Sequence, residues 1–256
     1  MKITADSELM KNQKHAVVMG QQQNFQVLQT ARGDALFFSI GTDDVLYLTS
    51  EVRESGSGWL QVDLSSQAVG GSAGAKAKTF AVSQNPETMN IDVSMVLTNG
   101  SGEDALFISR DNSTDRSTWA DGIAWAKVPF DAGHGPAPSP LRIADVHMLT
   151  QPSGDGGPGV LTWFVDIVRN PGEGFQLLER FYVEPDSKVK WVKHTLPNDV
   201  EEGSISSCLG RRQGDAVDGI YTFGKVGGSL SLIFTPKKNV WSPRSPPTSS
   251  RLGFPA

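Results

Sequence analysis

Three tryptophan-led hexapeptides recur at equal intervals and limit what this chain can become. They are Trp59-Leu60-Gln61-Val62-Asp63-Leu64, Trp125-Ala126-Lys127-Val128-Pro129-Phe130 and Trp191-Val192-Lys193-His194-Thr195-Leu196. Each carries Gln or Lys two places after the tryptophan and Leu or Phe at the sixth place, and successive copies start 66 residues apart. A looser fourth copy, Val240-Trp241-Ser242-Pro243, follows Trp191 after 50 residues, and its proline suits a sheet edge. Self-similarity at a fixed period is the signature of a repeat architecture, in which one supersecondary unit is copied along the chain.

A second element lies upstream of each tryptophan. It is a short apolar run led by Asp or Gly: Asp34 to Ser39 (DALFFS), Asp104 to Ser109 (DALFIS), Gly159 to Phe164 and Asp218 to Phe223. Short runs bounded by Gly and Asp and rich in β-branched or aromatic residues read as strands. Further strands are predicted over Phe25 to Gln29, Val45 to Thr49, Thr79 to Val82, Ile91 to Leu97, Ile143 to Leu149, Leu177 to Val183, Ile205 to Leu209 and Leu230 to Thr235. No segment carries a helical period. The 27 Gly and 15 Pro, together about a sixth of the chain, also imply many turns and few helices.

Grouping the strands by the tryptophan repeat gives four units of about four strands, over 25–65, 78–131, 141–197 and 204–247. Four-stranded units at this spacing are the pattern of propeller blades. Each tryptophan then opens the outermost strand of its blade. Leu60, Val62 and Leu64 fall on one face, Trp59, Gln61 and Asp63 on the other, and the same faces recur over 125–130. The termini hold one strand each, Ala16 to Met19 and Leu252 to Phe254; together these close a ring of five blades, or they are tails flanking four. The expectation is an all-β chain forming one domain over 1–256. It is a small β-propeller of five four-stranded blades, four clear units plus one closed by the termini. A β-sandwich is the competing architecture, because it too supplies many short strands.

In its tryptophan-led outer strands and its DALFFS and DALFIS runs, the chain resembles the lectin-type β-propellers, including the tectonin-like and fungal fucose-lectin-like repeat proteins. The resemblance implies small-glycan binding between neighbouring blades and assigns no residues to it. The WD40 and kelch patterns are not met.

The residues themselves name one polar stretch, Arg110 to Gly122, between an inner run and the Trp125 strand. Side-chain oxygens at 111, 113, 115 and 117 alternate as in a calcium loop. Yet Arg116 stands where such a loop needs glycine, and Gly122 where it needs a bidentate Glu, so no metal is expected. As a ligand site the stretch offers Trp119 as a flat apolar face, with Arg110 and Asp111 as hydrogen-bonding groups. The four histidines, His15, His134, His147 and His194, show no metal-ligand spacing. Gly154 to Gly159 lacks the Lys-Ser or Lys-Thr of a phosphate cradle. The carboxylates Glu103, Asp121, Asp166 and Asp218 supply material for a glycosidase-like pair without fixing its separation.

A formal net charge of −5 argues against a phosphate-backbone partner. No signal peptide or membrane span is visible in 1–15, and Cys208 is the sole cysteine, in an apolar strand. The chain fits the cytoplasm, or secretion without disulfides. No cofactor and no catalytic group is named by the sequence, and the oligomeric state is left open. Recognition of a glycan or other small ligand, without nucleic acid or membrane, is the first functional reading. An enzyme with one site over the central channel is the second, and a protein-interaction scaffold the third.

Overall fold

The computed structural model describes residues 25–30, 33–52, 58–70, 74–85, 88–129, 140–151, 160–169, 177–183, 191–195, 205–210, 219–226, 229–236 and 248–251. These form sixteen strands in four antiparallel sheets, each a meander in chain order. Sheet 1 holds β1 (Phe25–Gln29), β2 (Ala35–Ile40), β3 (Leu46–Val52) and β4 (Gly58–Asp63). Sheet 2 holds β5 (Lys76–Gln84), β6 (Ile91–Thr98), β7 (Asp104–Asn112) and β8 (Ala126–Lys127). Sheet 3 holds β9 (Ile143–Gln151), β10 (Val160–Arg169), β11 (Leu177–Val183) and β12 (Trp191–Thr195). Sheet 4 holds β13 (Ser206–Gly210), β14 (Gly219–Val226), β15 (Ser229–Pro236) and β16 (Thr248–Arg251). The all-β expectation holds.

The period-2 rule explains which residues meet. In β2 Leu36, Phe38 and Ile40 are buried while Ala35, Phe37 and Ser39 are only partly so. With Leu46, Leu48 and Val62 they form the sheet 1 side of a core whose other side is Phe80, Val82, Ile91, Val93, Met95 and Leu97 of sheet 2. β6 is buried on both faces, because Val96, with Ala81 and Leu106, joins a second core made with Ile143, Val146, Trp163, Val165 and Ile167 of sheet 3. A third cluster, Ala144, Val168, Ile205 and Val226, lies between sheets 3 and 4. The sheets therefore pack face to face in chain order, and each fully buried Leu, Ile or Phe contributes about 1.5–3 kcal/mol.

Directional contacts fix the offsets between sheets. Gln26 of β1 accepts a hydrogen bond from Val82 N of β5 (2.7 Å) through its side-chain oxygen, and Thr79 of β5 donates to Asp145 of β9 (2.7 Å). The hairpin between second and third strands also holds the first strand of the next sheet. Asp44 O accepts from Ala77 N (2.7 Å), and the Asp44 carboxylate pairs with Lys76 (2.9 Å). One sheet later, Asp104 N donates to Leu141 O (2.9 Å). The Asp104 carboxylate accepts from Thr98 Oγ1 (2.6 Å), Ile143 N (2.7 Å) and Lys78 Nζ (3.2 Å).

Four sequence expectations are corrected. First, the matching DALFFS and DALFIS runs are not equivalent: the former is the second strand of its sheet and the latter the third. Both follow the same kind of hairpin, but Asp34 closes its turn whereas Asp104 stands one place after Glu103, which closes the other. Thr30 N donates to Asp34 O and Gly33 N to Thr30 O, as Asn99 N does to Glu103 O and Gly102 N to Asn99 O. The fourth position of each turn is left-handed, Gly33 at φ +84 and Gly102 at φ +78, where a side chain would be strained. Second, two short helices exist, α1 (Leu64–Ala68) and α2 (Arg116–Asp121). Each is started by an aspartate N-cap, Asp63 accepting from Ser66 N (2.8 Å) and Asp115 from Ser117 N (3.0 Å).

Third, the tryptophans lead fourth strands but do not share surroundings. Trp59 is 43% exposed, against Phe37 at 5.9 Å between ring centroids. Trp125 precedes a two-residue strand and packs against the first core, because the chain arrives there through α2 instead of a tight turn. The Trp191 side chain lies outside the described residues. Fourth, the outer strand of sheet 4 is β16, beyond 240–243. Residues 240–243, 16–19, 252–254 and 154–159, and His15, His134 and Asp218, lie outside the described residues.

Asp104→Ala should lower stability by about 3 kcal/mol, because it strands Ile143 N and leaves the largely buried Lys78 amine without its counter-charge. Lys76→Ala, at the exposed Asp44 pair, should cost under about 0.5 kcal/mol. Chemical denaturation of both variants, with equal m-values, is the check.

Candidate functional site

The expected trio of Arg110, Asp111 and Trp119 is not assembled on one surface. Trp119 is fully buried in the core between sheets 1 and 2. Its ring meets Phe38 edge-on at 5.7 Å, and its indole N–H donates to Ser113 O (2.9 Å). The ring face is spent on packing. Arg110 lies toward sheet 3, its guanidinium over the Trp163 ring at 5.5 Å.

Asp111 sits at a β-bulge, where the register of β6 and β7 shifts between Ile91 and Val93. Its φ is 55, its N–H donates to Asp92 Oδ1 (2.9 Å), and its carboxylate accepts from Asn90 Nδ2 (2.8 Å). Burial raises the Asp92 carboxyl above the usual carboxylate range, while the Asp111 N–H and the Arg110 charge pull it back. This end of β7 is a locally satisfied corner. The alternating oxygens at 113, 115 and 117 are likewise used within the segment: Ser113 Oγ accepts from Asp115 N, and Asp115 caps α2.

The opposite end of β7 opens a cleft of about 430 Å³. Phe107, Val128 and Leu141 line it, and Asn99, Glu103 and Lys127 bring polar groups to it. Each is placed by local chemistry. Phe107 and Lys127 are register partners across β7 and β8, and Val128 N donates to Leu106 O (2.8 Å). Asn99 shapes the hairpin, its side-chain oxygen accepting from Ser101 N (3.0 Å), Ser101 Oγ (2.7 Å) and Glu103 N (3.0 Å). That leaves the Asn99 amide N–H groups as donors, Glu103 as an exposed acceptor and Lys127 as an exposed cation. Asp104 also borders the cleft, with its carboxylate committed to Thr98, Lys78 and Ile143 N. The sequence held one signal for this place, the Asn99-Gly100-Ser101-Gly102-Glu103-Asp104 turn, but nothing in it announced that Lys127 lies across from Phe107.

A second polar group lies on β9 and β10. Asp145 and Asp166 are directly opposite in register, and His147 Nε2 lies 3.6 Å from Asp145 Oδ2 and 3.4 Å from Asp166 Oδ2. Burial raises the Asp145 carboxyl; His147 and the Thr79 hydroxyl oppose the shift, and Asp166 adds to it. Among the described residues no three His, Cys, Asp or Glu side chains converge as a metal site requires. No helix among them is long and apolar enough to cross a membrane.

No protein-family model matches this chain, and no curated protein matches it. Among solved structures, the chain is similar to the crystal structure of an AofleA mutant from Arthrobotrys oligospora in which three arginines are replaced by alanine. The likeness has 10% sequence identity and a TM-score of 0.37, covering 90% of this chain and 73% of that one.

Trp119→Ala should cost about 3–5 kcal/mol, the range for emptying an aromatic site in a packed core. Arg110→Ala should cost only about 0.5–1 kcal/mol, from the lost contact with the Trp163 ring. Urea melts of the two variants would separate a core role for Trp119 from a surface one.

Proposed function

We propose that this chain recognises a small carbohydrate-like ligand, on a scaffold that is a small lectin-like β-propeller. The observation that carries the ligand reading is the chemistry of the 430 Å³ cleft. A sugar presents apolar C–H patches and hydroxyls that both donate and accept. Phe107 and Val128 suit the first, and the Asn99 amide, Glu103 and Lys127 suit the second. Binding is favoured over hydrolysis because acid–base cleavage asks for two available carboxyl groups. Of the two acids here, Asp104 is consumed by three hydrogen bonds and only Glu103 is exposed.

The propeller reading rests on how the sheets follow one another. Four meanders pack face to face in chain order, and first strands are tied across sheets through Gln26–Val82 and Thr79–Asp145. The two ends of the series remain apolar: Phe25, Val27 and Trp59 on sheet 1 are 52%, 46% and 43% exposed, and Leu230 on sheet 4 is 43% exposed. A ring removes such ends, since each outer face then meets another sheet. Five blades, with the fifth drawn from both termini, is the closure proposed here.

The test is a glycan array probed with the labelled full chain, followed by titration of the best hit. Lys127→Ala and Glu103→Gln should each weaken binding by about tenfold, the loss expected for one charged hydrogen bond, without changing Tm. Arg110→Ala, at the far end of β7, should bind as the parent does. An array blank across a broad panel, or weakening by Arg110→Ala alone, would remove the cleft from consideration.

A further inference from the structure

The cleft carries two side chains of opposite charge that do not meet. Among the described residues the Glu103 carboxylate and the Lys127 amine take part in no ion pair, whereas the third charge bordering the cleft, Asp104, is neutralised by Lys78 at 3.2 Å. Glu103 immediately precedes β7, and Lys127 stands opposite Phe107, four residues further along. At about 3.3 Å per residue, Phe107 lies about 13 Å from Glu103 along the strand. Strand alternation puts Glu103, Ala105 and Phe107 on one face, and Lys127 joins them as the cross-strand partner of Phe107. An occupant lying along that face meets a different charge at each end.

We propose that the cleft selects a sugar acid, with its carboxylate on Lys127 and its hydroxyls on Glu103 and Asn99. This rests on the ligand reading of the cleft and adds to it the charge of the ligand.

The neighbours of each charge decide which end takes which group. At the hairpin the Asn99 side-chain oxygen is spent on Ser101 and on Glu103 N, so its amide offers only donors, beside the Glu103 acceptor. A sugar hydroxyl both donates and accepts, and so satisfies the two together. An ammonium group placed there would answer Glu103 and oppose the Asn99 donors.

At the other end the lining residues beside Lys127 are Phe107, Val128 and Pro129, none of which has a side-chain acceptor. A ligand pressed against these walls strips water from the Lys127 head, a cost that a carboxylate offsets by bringing a full opposite charge. A neutral hydroxyl accepts from the amine, but its bond lacks the second charge and offsets less. The chain's net charge of −5 repels anions at a distance, so any selection for an acid arises at short range, from Lys127.

Titration calorimetry of the full chain with matched sugars tests this. The methyl glycosides of glucose, glucuronic acid and glucosamine form one set, and those of galactose, galacturonic acid and galactosamine the other. Each sugar is also presented at the end of an oligosaccharide, which separates a small metabolite from a glycan terminus as the source of the acid. In at least one set the acid should bind roughly tenfold more tightly than its neutral counterpart. Lys127→Gln should erase that advantage, bringing the acid down to the neutral sugar's affinity, and Lys127→Arg should keep it. Glu103→Gln should weaken acid and neutral sugar alike. Lys225→Gln removes the same charge at an exposed position on sheet 4 and should leave the preference intact. Neutral sugars bound as tightly as the acids, a preference for the amino sugars, or an acid preference that survives Lys127→Gln or falls equally in Lys225→Gln would overturn the proposal and leave the cleft a sugar site. Binding of no sugar in either set would remove both.

Discussion

Sheets stacked face to face share no ladder hydrogen bonds, so nothing in the backbone pairing fixes how far one is shifted against the next. Apolar burial is non-directional and tolerates many offsets. The offset of sheet 3 on sheet 2 is set by Asp104, whose carboxylate joins Thr98 and Lys78 of sheet 2 to Ile143 N at the start of β9, while its own N–H reaches Leu141 O. Two of these four bonds cross to the start of β9, and the other two hold the Asp104 carboxylate in place for them. The cleft depends on this offset, because Leu141 and Ile143 stand against Leu106 and Phe107 only in that placement. Asp44 makes the simpler version one sheet earlier, with one backbone bond and an exposed ion pair.

The joints differ in what they add to apolar packing. Between sheets 1 and 2 the core takes in Trp119 and Ile123 from the β7–β8 connection. Between sheets 2 and 3 Asp104 supplements the core with bonds to Ile143 N and Leu141 O. Between sheets 3 and 4 the described core residues are Ala144, Val168, Ile205 and Val226. Apolar contact tolerates many offsets, and a polar bond at the edge of a core selects one.

The strands were legible because alternation and turn chemistry are local. Phe25–Gln29 and Leu177–Val183 coincide with β1 and β11, and Leu60 and Val62 turn to the core as their spacing implies. What misled was also local. DALFFS and DALFIS look like a structural repeat, yet they follow similar hairpins one residue out of step and occupy non-equivalent strands, the second of one sheet and the third of the next. The helix at Arg116–Asp121 was hidden because Asp115 and Ser117 read as loop oxygens until the cap bond is seen. The polar run around Trp119 gives no local sign of its burial, because one turn of helix suffices to point one residue inward. The Asp104 hub and the Phe107–Lys127 pairing were not legible, since both join segments far apart in sequence through geometry that no local pattern carries.

Strands β9 and β10 serve two joints at once. Ile143 and Val165 line the cleft from one face, while Asp145, His147 and Asp166 occupy the other. Between the two lies an irregularity: the register shifts between Asp166 and Ile167, with Ala144 as the extra residue of β9. A regular ladder would resist independent movement of its two faces, because each residue is held by its neighbours on both sides. At a bulge one residue is left out of the pairing, and the strand bends there more easily. The bulge lets Ile143 and Asp145, two residues apart in sequence, face opposite sides of the sheet: Ile143 turns to the cleft with Val165, while Asp145 stands opposite Asp166.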